Sequence, residues 1–134
     1  MGAIGKDQIW PLLLSACPEF TPEYNDFDDE DLELPYVCVM TLTRFLVGQN
    51  SSELYARVAH TVEKLIVDGD SYVSQFAVIG ILEGMLEWPG SLSYDASVLF
   101  AEQLEPTSAL YWISLKKFWN GEIPFVGADI PNAL

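Results

Sequence analysis

At 134 residues, half of them apolar, the chain has the length of one domain, able to bury about two-thirds of the surface its unfolded form exposes. Twenty Asp and Glu stand against six Lys and Arg, giving a net charge of −14 and a pI near 4.1. Repulsion excludes nucleic acid and anionic membrane as direct partners, and six cations, of which only Lys116 and Lys117 are adjacent, cannot build a basic patch.

Taken in chain order, Asp7 is expected to cap a first helix through Ala16, with Pro11 tolerated in the first turn, where backbone donors lack partners. Cys17-Pro18 ends it. Leu14-Ser15-Ala16-Cys17 matches the pattern at which bacterial lipoproteins are cleaved and lipidated. The apolar stretch before it, Ile9 to Leu14, is short and broken by Pro11, and Lys6 is balanced by Asp7. The chain also opens at Met1, as an uncleaved protein would, so the expectation is a cytoplasmic protein. Cys17 and Cys38, with no CxxC pattern and no neighbouring His, are expected to be buried free thiols.

Thr21-Pro22 predicts a short helix with Thr21 as its N-cap. It lies within the most charged stretch of the molecule, Glu19 to Glu33: Glu19, Glu23, Asp26, Asp28, Asp29, Glu30, Asp31 and Glu33, with no Lys or Arg between Lys6 and Arg44. Self-repulsion of such a block calls for solvation or for a cationic partner. Tyr24, Phe27, Leu32 and Leu34 among the acids are more than a solubility tail needs, and they suit a docking surface for a basic protein.

Pro35 opens an apolar helix closed at Gly48, and Asn50-Ser51-Ser52 caps the next, whose Leu54, Val58, Val62, Leu65 and Ile66 recur at helical spacing. Asp68-Gly69-Asp70 ends that helix and caps its successor. The successor, from Tyr72 to Glu87, is apolar nearly all round (Val73, Phe76, Ala77, Val78, Ile79, Ile81, Leu82, Met85, Leu86) and is predicted to lie centrally until Trp88-Pro89-Gly90 stops it. Ser93 or Asp95 starts a fifth helix through Leu104, and Pro106-Thr107 starts a sixth that Gly121 closes. The tail from Glu122 is expected to be extended and to pack by Phe125 and Ile130. The prediction is one all-α domain over residues 1–134, a bundle or short curved array of about six antiparallel helices, with no transmembrane-length run and no fixed repeat.

Catalysis has little to work with. His60, the one histidine, lies mid-helix beside Glu63 and Lys64, and no phosphate loop or GxSxG turn exists. A calcium loop starting at Asp26 would need glycine at Asp31 and glutamate at Val37, and one starting at Asp68 meets Ile79 where glutamate belongs. Glu83 and Glu87 sit one turn apart on the apolar helix. Without Glu-x-x-His repeats they do not make a di-metal site, and Glu83 is expected to pair with a helix end, Arg44, Arg57 or a tyrosine. No enzyme activity, cofactor or metal is expected.

Several segments carry a family likeness: Cys17-Pro18-Glu19-Phe20, the apolar helix from Pro35, Ile66-Val67-Asp68-Gly69-Asp70 and Val78-Ile79-Gly80-Ile81-Leu82-Glu83. Leu104-Glu105-Pro106-Thr107-Ser108, Trp112 and Phe118-Trp119 extend it. Over about Ile9 to Gly121 the chain resembles a family of small acidic all-helical immunity proteins from bacterial polymorphic toxin systems. Glu105 departs from the glycine usual in that family's Leu-x-Pro turn. The resemblance implies a helical fold and a toxin-neutralising role, and leaves the toxin unidentified. Composition agrees independently, because a small, very acidic, catalytically empty protein suits stoichiometric capture of a basic enzyme such as a nuclease, whose phosphate cleft carboxylates can occupy. The expected interface is Glu23, Asp26, Asp28, Asp29, Glu30, Asp31 and Glu33, with Tyr24 and Phe27 as buried anchors. The rival class is a non-catalytic helical adaptor or scaffold that binds a host protein through a groove.

Overall fold

The helix boundaries follow local capping chemistry. The computed structural model describes residues 2–87 and 91–131, and among them every element is helical, with a single isolated bridge between Ile4 and Gly69. A 3-10 turn, Lys6–Gln8, leads into α1 (Ile9–Ala16). Its entry is secured by the Gln8 side chain, which accepts the Gly5 N–H at 3.0 Å, and Asp7 sits inside the turn instead of capping it. Pro18–Phe20 forms a second 3-10 turn, which places Thr21 inside α2 (Thr21–Asn25) and not at its N-cap.

Then follow α3 (Asp29–Leu32), which the sequence reading did not foresee, and α4 (Pro35–Gln49). Helix α4 runs past Gly48 because the left-handed residue that ends it is Asn50, at φ 46°. Ser51 caps α5 (Ser52–Asp68) by accepting the Leu54 N–H at 3.2 Å, and Asp70 caps α6 (Ser71–Gln75) by accepting the Val73 N–H at 2.9 Å. Helix α6 continues without a break through a π-helical stretch, Phe76–Leu82, into α7 (Glu83–Glu87). The last helices are α8 (Ser91–Glu102) and α9 (Pro106–Trp119). The fifth helix thus starts ahead of Ser93 and stops two residues short of Leu104. The expected stop at Trp88-Pro89-Gly90 and the side chains of Glu87, Ser93 and Asp95 lie outside the described residues.

The result is an all-α bundle, with α5 and the 71–87 helix at its centre. Phe76 and Leu82 are fully buried, as are Val73, Ala77, Ile81 and Met85. Ile79 departs from the all-round expectation at 41% exposed. Against α4, Tyr36 meets Phe76, Val39 meets Gly80 and Thr43 meets Gly84, so the two helices run in the same direction. Gly80 and Gly84, four apart, are what let them approach: a Cβ on Gly84 would stand 2.8 Å from Thr43 Cγ2, and one on Gly80 3.1 Å from Val39 Cγ1.

Trp10 is the hub of the other half of the core, with ring centroids 5.5 Å from Tyr24, 6.2 Å from Phe20, 6.3 Å from Phe27 and 6.4 Å from Phe76. The amino-terminal segment is tied in by Ile4, whose N–H donates to Asp68 C=O and whose C=O accepts from Asp70 N–H, both at 2.9 Å. Gly69 between them is required by packing, because a Cβ there would run into the Leu65 carbonyl and Val73.

The carboxy-terminal segment forms turns and is not extended as expected. Ser114 Oγ accepts the Gly127 N–H at 2.7 Å and donates to Asp129 at 2.8 Å. Ile130 and Val126 lean on the core, while Phe125 points away at 59% exposed. Among the described residues no helix is long and apolar enough to cross a membrane.

Candidate protein-docking face

The acidic run divides into acids that hold the fold and acids that face solvent. Glu19 forms a two-point pair with Arg57, at 2.7 and 3.3 Å, and that hydrogen bonding holds its carboxyl below the usual range. Arg57 also donates to the Ala16 carbonyl at 2.8 Å, fastening the end of α1 to α5. Glu23 is half-buried, with one carboxylate oxygen enclosed and without a partner among the described residues.

Asp28 and Asp31 form a reciprocal capping box on α3: Asp31 N–H donates to Asp28 at 2.8 Å and Asp28 N–H to Asp31 at 3.1 Å. This box is why a four-residue helix forms inside a run of like charges. It draws Asp28 and Asp31 into local structure and leaves Asp26, Asp29, Glu30 and Glu33 exposed, with no hydrogen bond or ion pair from their side chains to any described residue. These four are the exposed carboxylates of the run that its local structure does not use. Tyr24 and Phe27, expected to be anchors for a partner, are half-buried in the Trp10 cluster and serve the protein's own core. Tyr24, Trp10, Leu32 and Pro35 also line a cavity of about 260 Å³ beside α3.

Directly after the acids the surface turns apolar. Leu34 and Met40 are each 56% exposed and Val37 is 51% exposed, with Tyr36 alongside. The Cys38 thiol donates to the Asp31 carbonyl at 3.0 Å, which holds α3 against the start of α4. At about 100° per residue, Met40 lies a quarter-turn from Val39 and Ile79 a quarter-turn from Gly80, both on the same outer side of the parallel pair. Tyr36, Val37, Met40 and Ile79 therefore share one exposed face.

The remaining chemistry-bearing groups are absorbed by the fold. His60 is exposed and pairs through Nδ1 with Glu105 at 2.9 Å. Both cysteines are free and buried, and burial pushes each thiol up from its ordinary value. Glu83 is half-buried and engaged with other groups of the protein. Among the described residues no three His, Cys, Asp or Glu side chains converge on a metal position.

Glu63 has a role that sequence reasoning missed. It accepts Ser108 N–H at 2.8 Å, Ser108 Oγ at 2.9 Å and Thr107 N–H at 3.1 Å, capping α9 from across the bundle. Burial acts to raise its carboxyl, but the Ser108 and Thr107 bonds outweigh it and hold it below the usual range. The available signal was Glu105, which precedes the Pro106 helix start and supplies no side-chain cap of its own.

Residues 10–120 match a protein family described as Domain of unknown function (DUF7674), and the chain belongs to that family. No curated protein and no solved structure matches the chain.

Proposed function

We propose that this member of the family is a cytoplasmic immunity protein that binds a cognate bacterial toxin stoichiometrically and neutralises it without catalysis. The toxin's class is a basic, nucleic-acid-targeting enzyme. The observation that carries the reading is the set Asp26, Asp29, Glu30 and Glu33, exposed and without a partner among the described residues, on a chain of net charge −14. Exposed carboxylates offer a cationic cleft the negative charge that a phosphate backbone offers it, and their field speeds encounter.

The test is co-expression with the toxic carboxy-terminal domain encoded by the gene immediately upstream. Wild type is expected to protect the cell and to bind the domain one to one. Asp29→Asn, Glu30→Gln and Glu33→Gln together spare the Asp28–Asp31 box, and are expected to slow association by about tenfold at low salt and to flatten its salt dependence. Absence of protection by wild type would sink the immunity role and put the adaptor class in front. Equal protection with unchanged association kinetics would remove the acids from the interface.

A further inference from the structure

We infer that the groove between α1 and α5 binds a small organic anion, a carboxylate or phosphate head on a short apolar body. This goes beyond the toxin-binding reading and does not depend on it. The groove has a volume of about 520 Å³, the size of pockets that take a single small ligand. Its walls include Leu12 and Ala16 on α1, and Ala56, Arg57, His60 and Lys64 on α5. No Asp or Glu is among the described residues that line it, although the chain has twenty. Two of the six Lys and Arg line it instead, with the one histidine. Steps of three and four along α5 put Arg57, His60 and Lys64 on one side of that helix, so a basic strip forms from residues that are not adjacent in sequence.

The fold has already committed part of that charge. The Arg57 guanidinium is held by Glu19 and the Ala16 carbonyl, and His60 Nδ1 by Glu105. Lys64 makes no hydrogen bond or ion pair with any described residue, and neither does His60 Nε2. Both side chains are exposed, so they meet an anionic head at the rim of the groove, while Leu12, Ala16 and Ala56 cover the apolar body. Net charge keeps the occupant small. An acidic protein or a nucleic acid would bring many charges towards a chain that carries −14. A single charge answers mainly to groups within the screening length of about 8 Å at physiological salt, and here the nearest uncompensated one is the Lys64 ammonium.

The experiment follows the backbone amides of the whole chain by NMR during titration with hexanoate, hexyl phosphate and, as the uncharged counterpart, hexan-1-ol. Saturable shifts centred on Leu12, Ala16, Ala56 and His60 are expected with the anions, and binding of the alcohol weaker by about tenfold or more. The anion that binds more tightly identifies the head as carboxylate or phosphate. Lys64→Gln keeps a good helix former on an exposed position, and is expected to weaken that anion about fivefold with melting unchanged. Ala56→Leu fills the groove without touching its charge and is expected to abolish the shifts. Amides that neither anion moves at about 10 mM overturn the inference, as does an alcohol that binds equally or a Lys64→Gln variant that binds like wild type. Tighter binding of an acetylated acidic tetrapeptide than of either anion makes the occupant a protein segment and overturns the small-ligand assignment. The immunity role rests on other residues and stands under every one of these outcomes.

Discussion

Glu63 and Glu30 are the same side chain, each on a helix of the same molecule, and their surroundings give them different work. Glu63 sits between α5 and α9 and accepts three hydrogen bonds from one helix terminus. Glu30 sits on α3 with its carboxylate in water. The same contrast separates Asp70, Asp129 and Glu19, each paired, from Asp26, Asp29 and Glu33, which are not. The structural carboxylates are held by Arg57, Lys117, Ser114, the Ser108 hydroxyl and the backbone N–H groups of Val73, Thr107 and Ser108. Asp26, Asp29, Glu30 and Glu33 bring exposed negative charge close together in sequence, while Asp7, Glu53, Asp68 and Glu102 carry more of it elsewhere.

The largest test of that contrast is Glu63→Ala, which strips α9 of its cap and leaves the buried Ser108 N–H without an acceptor, while Ser108 Oγ keeps the Glu105 carbonyl. We expect a loss of about 2 kcal/mol, seen as a lower urea midpoint and a melting temperature lower by about 8 °C. Next comes pH. The Glu63, Asp129 and Glu19 carboxyls are all held below their ordinary values in the folded protein. Groups depressed in this way contribute stability that is present above the ordinary carboxylate range of about 4 and is lost as pH falls through their lowered values. The stability gap between wild type and Glu63→Gln should therefore narrow as pH is taken from about 6 to about 3, measured by urea denaturation at each pH. A gap that widened on acidification would mean that Glu63 is protonated while capping α9. The smallest effect belongs to α3: Asp29→Asn, Glu30→Gln and Glu33→Gln together should move stability by no more than about 0.5 kcal/mol, relief of repulsion offsetting lost helix-dipole contacts. A large destabilisation there would erase the distinction between the two groups of acids.

What could be read from sequence was what depends on near neighbours. Pro35, Ser51, Asp70 and Pro106 mark helix starts within four residues of the groups they serve, and those starts are where the structure has them. The same locality made the Asp28-x-x-Asp31 box readable in principle, but a run of like charges reads first as repulsion. Glu63 meets Ser108 across 45 positions, and no local pattern announces that. Gly80 and Gly84 stand in plain view at a spacing of four, yet only the fold shows that α4 is what they admit. Tyr24 and Phe27 illustrate the hardest case: an aromatic ring among acids suits a partner's pocket or the protein's own core, and the position of Trp10 decides.

The clasp at Ile4 has a consequence for the order in which the molecule is made. Its two hydrogen bonds join residues 64 and 66 positions apart, and α1 is fastened to Arg57 across 41. In synthesis from the amino terminus, α1 is made before α5, the helix that Arg57 fastens it to, while Phe20, Tyr24 and Phe27 follow Trp10 closely. Helix α1 is also short enough to be marginal on its own. Closing so wide a loop is entropically feasible, because the penalty grows only with the logarithm of its length, but closure has to wait for the far end. The backbone bonds at Ile4 therefore wait for Asp68 and Asp70, although both elements that flank the clasp can form before it closes.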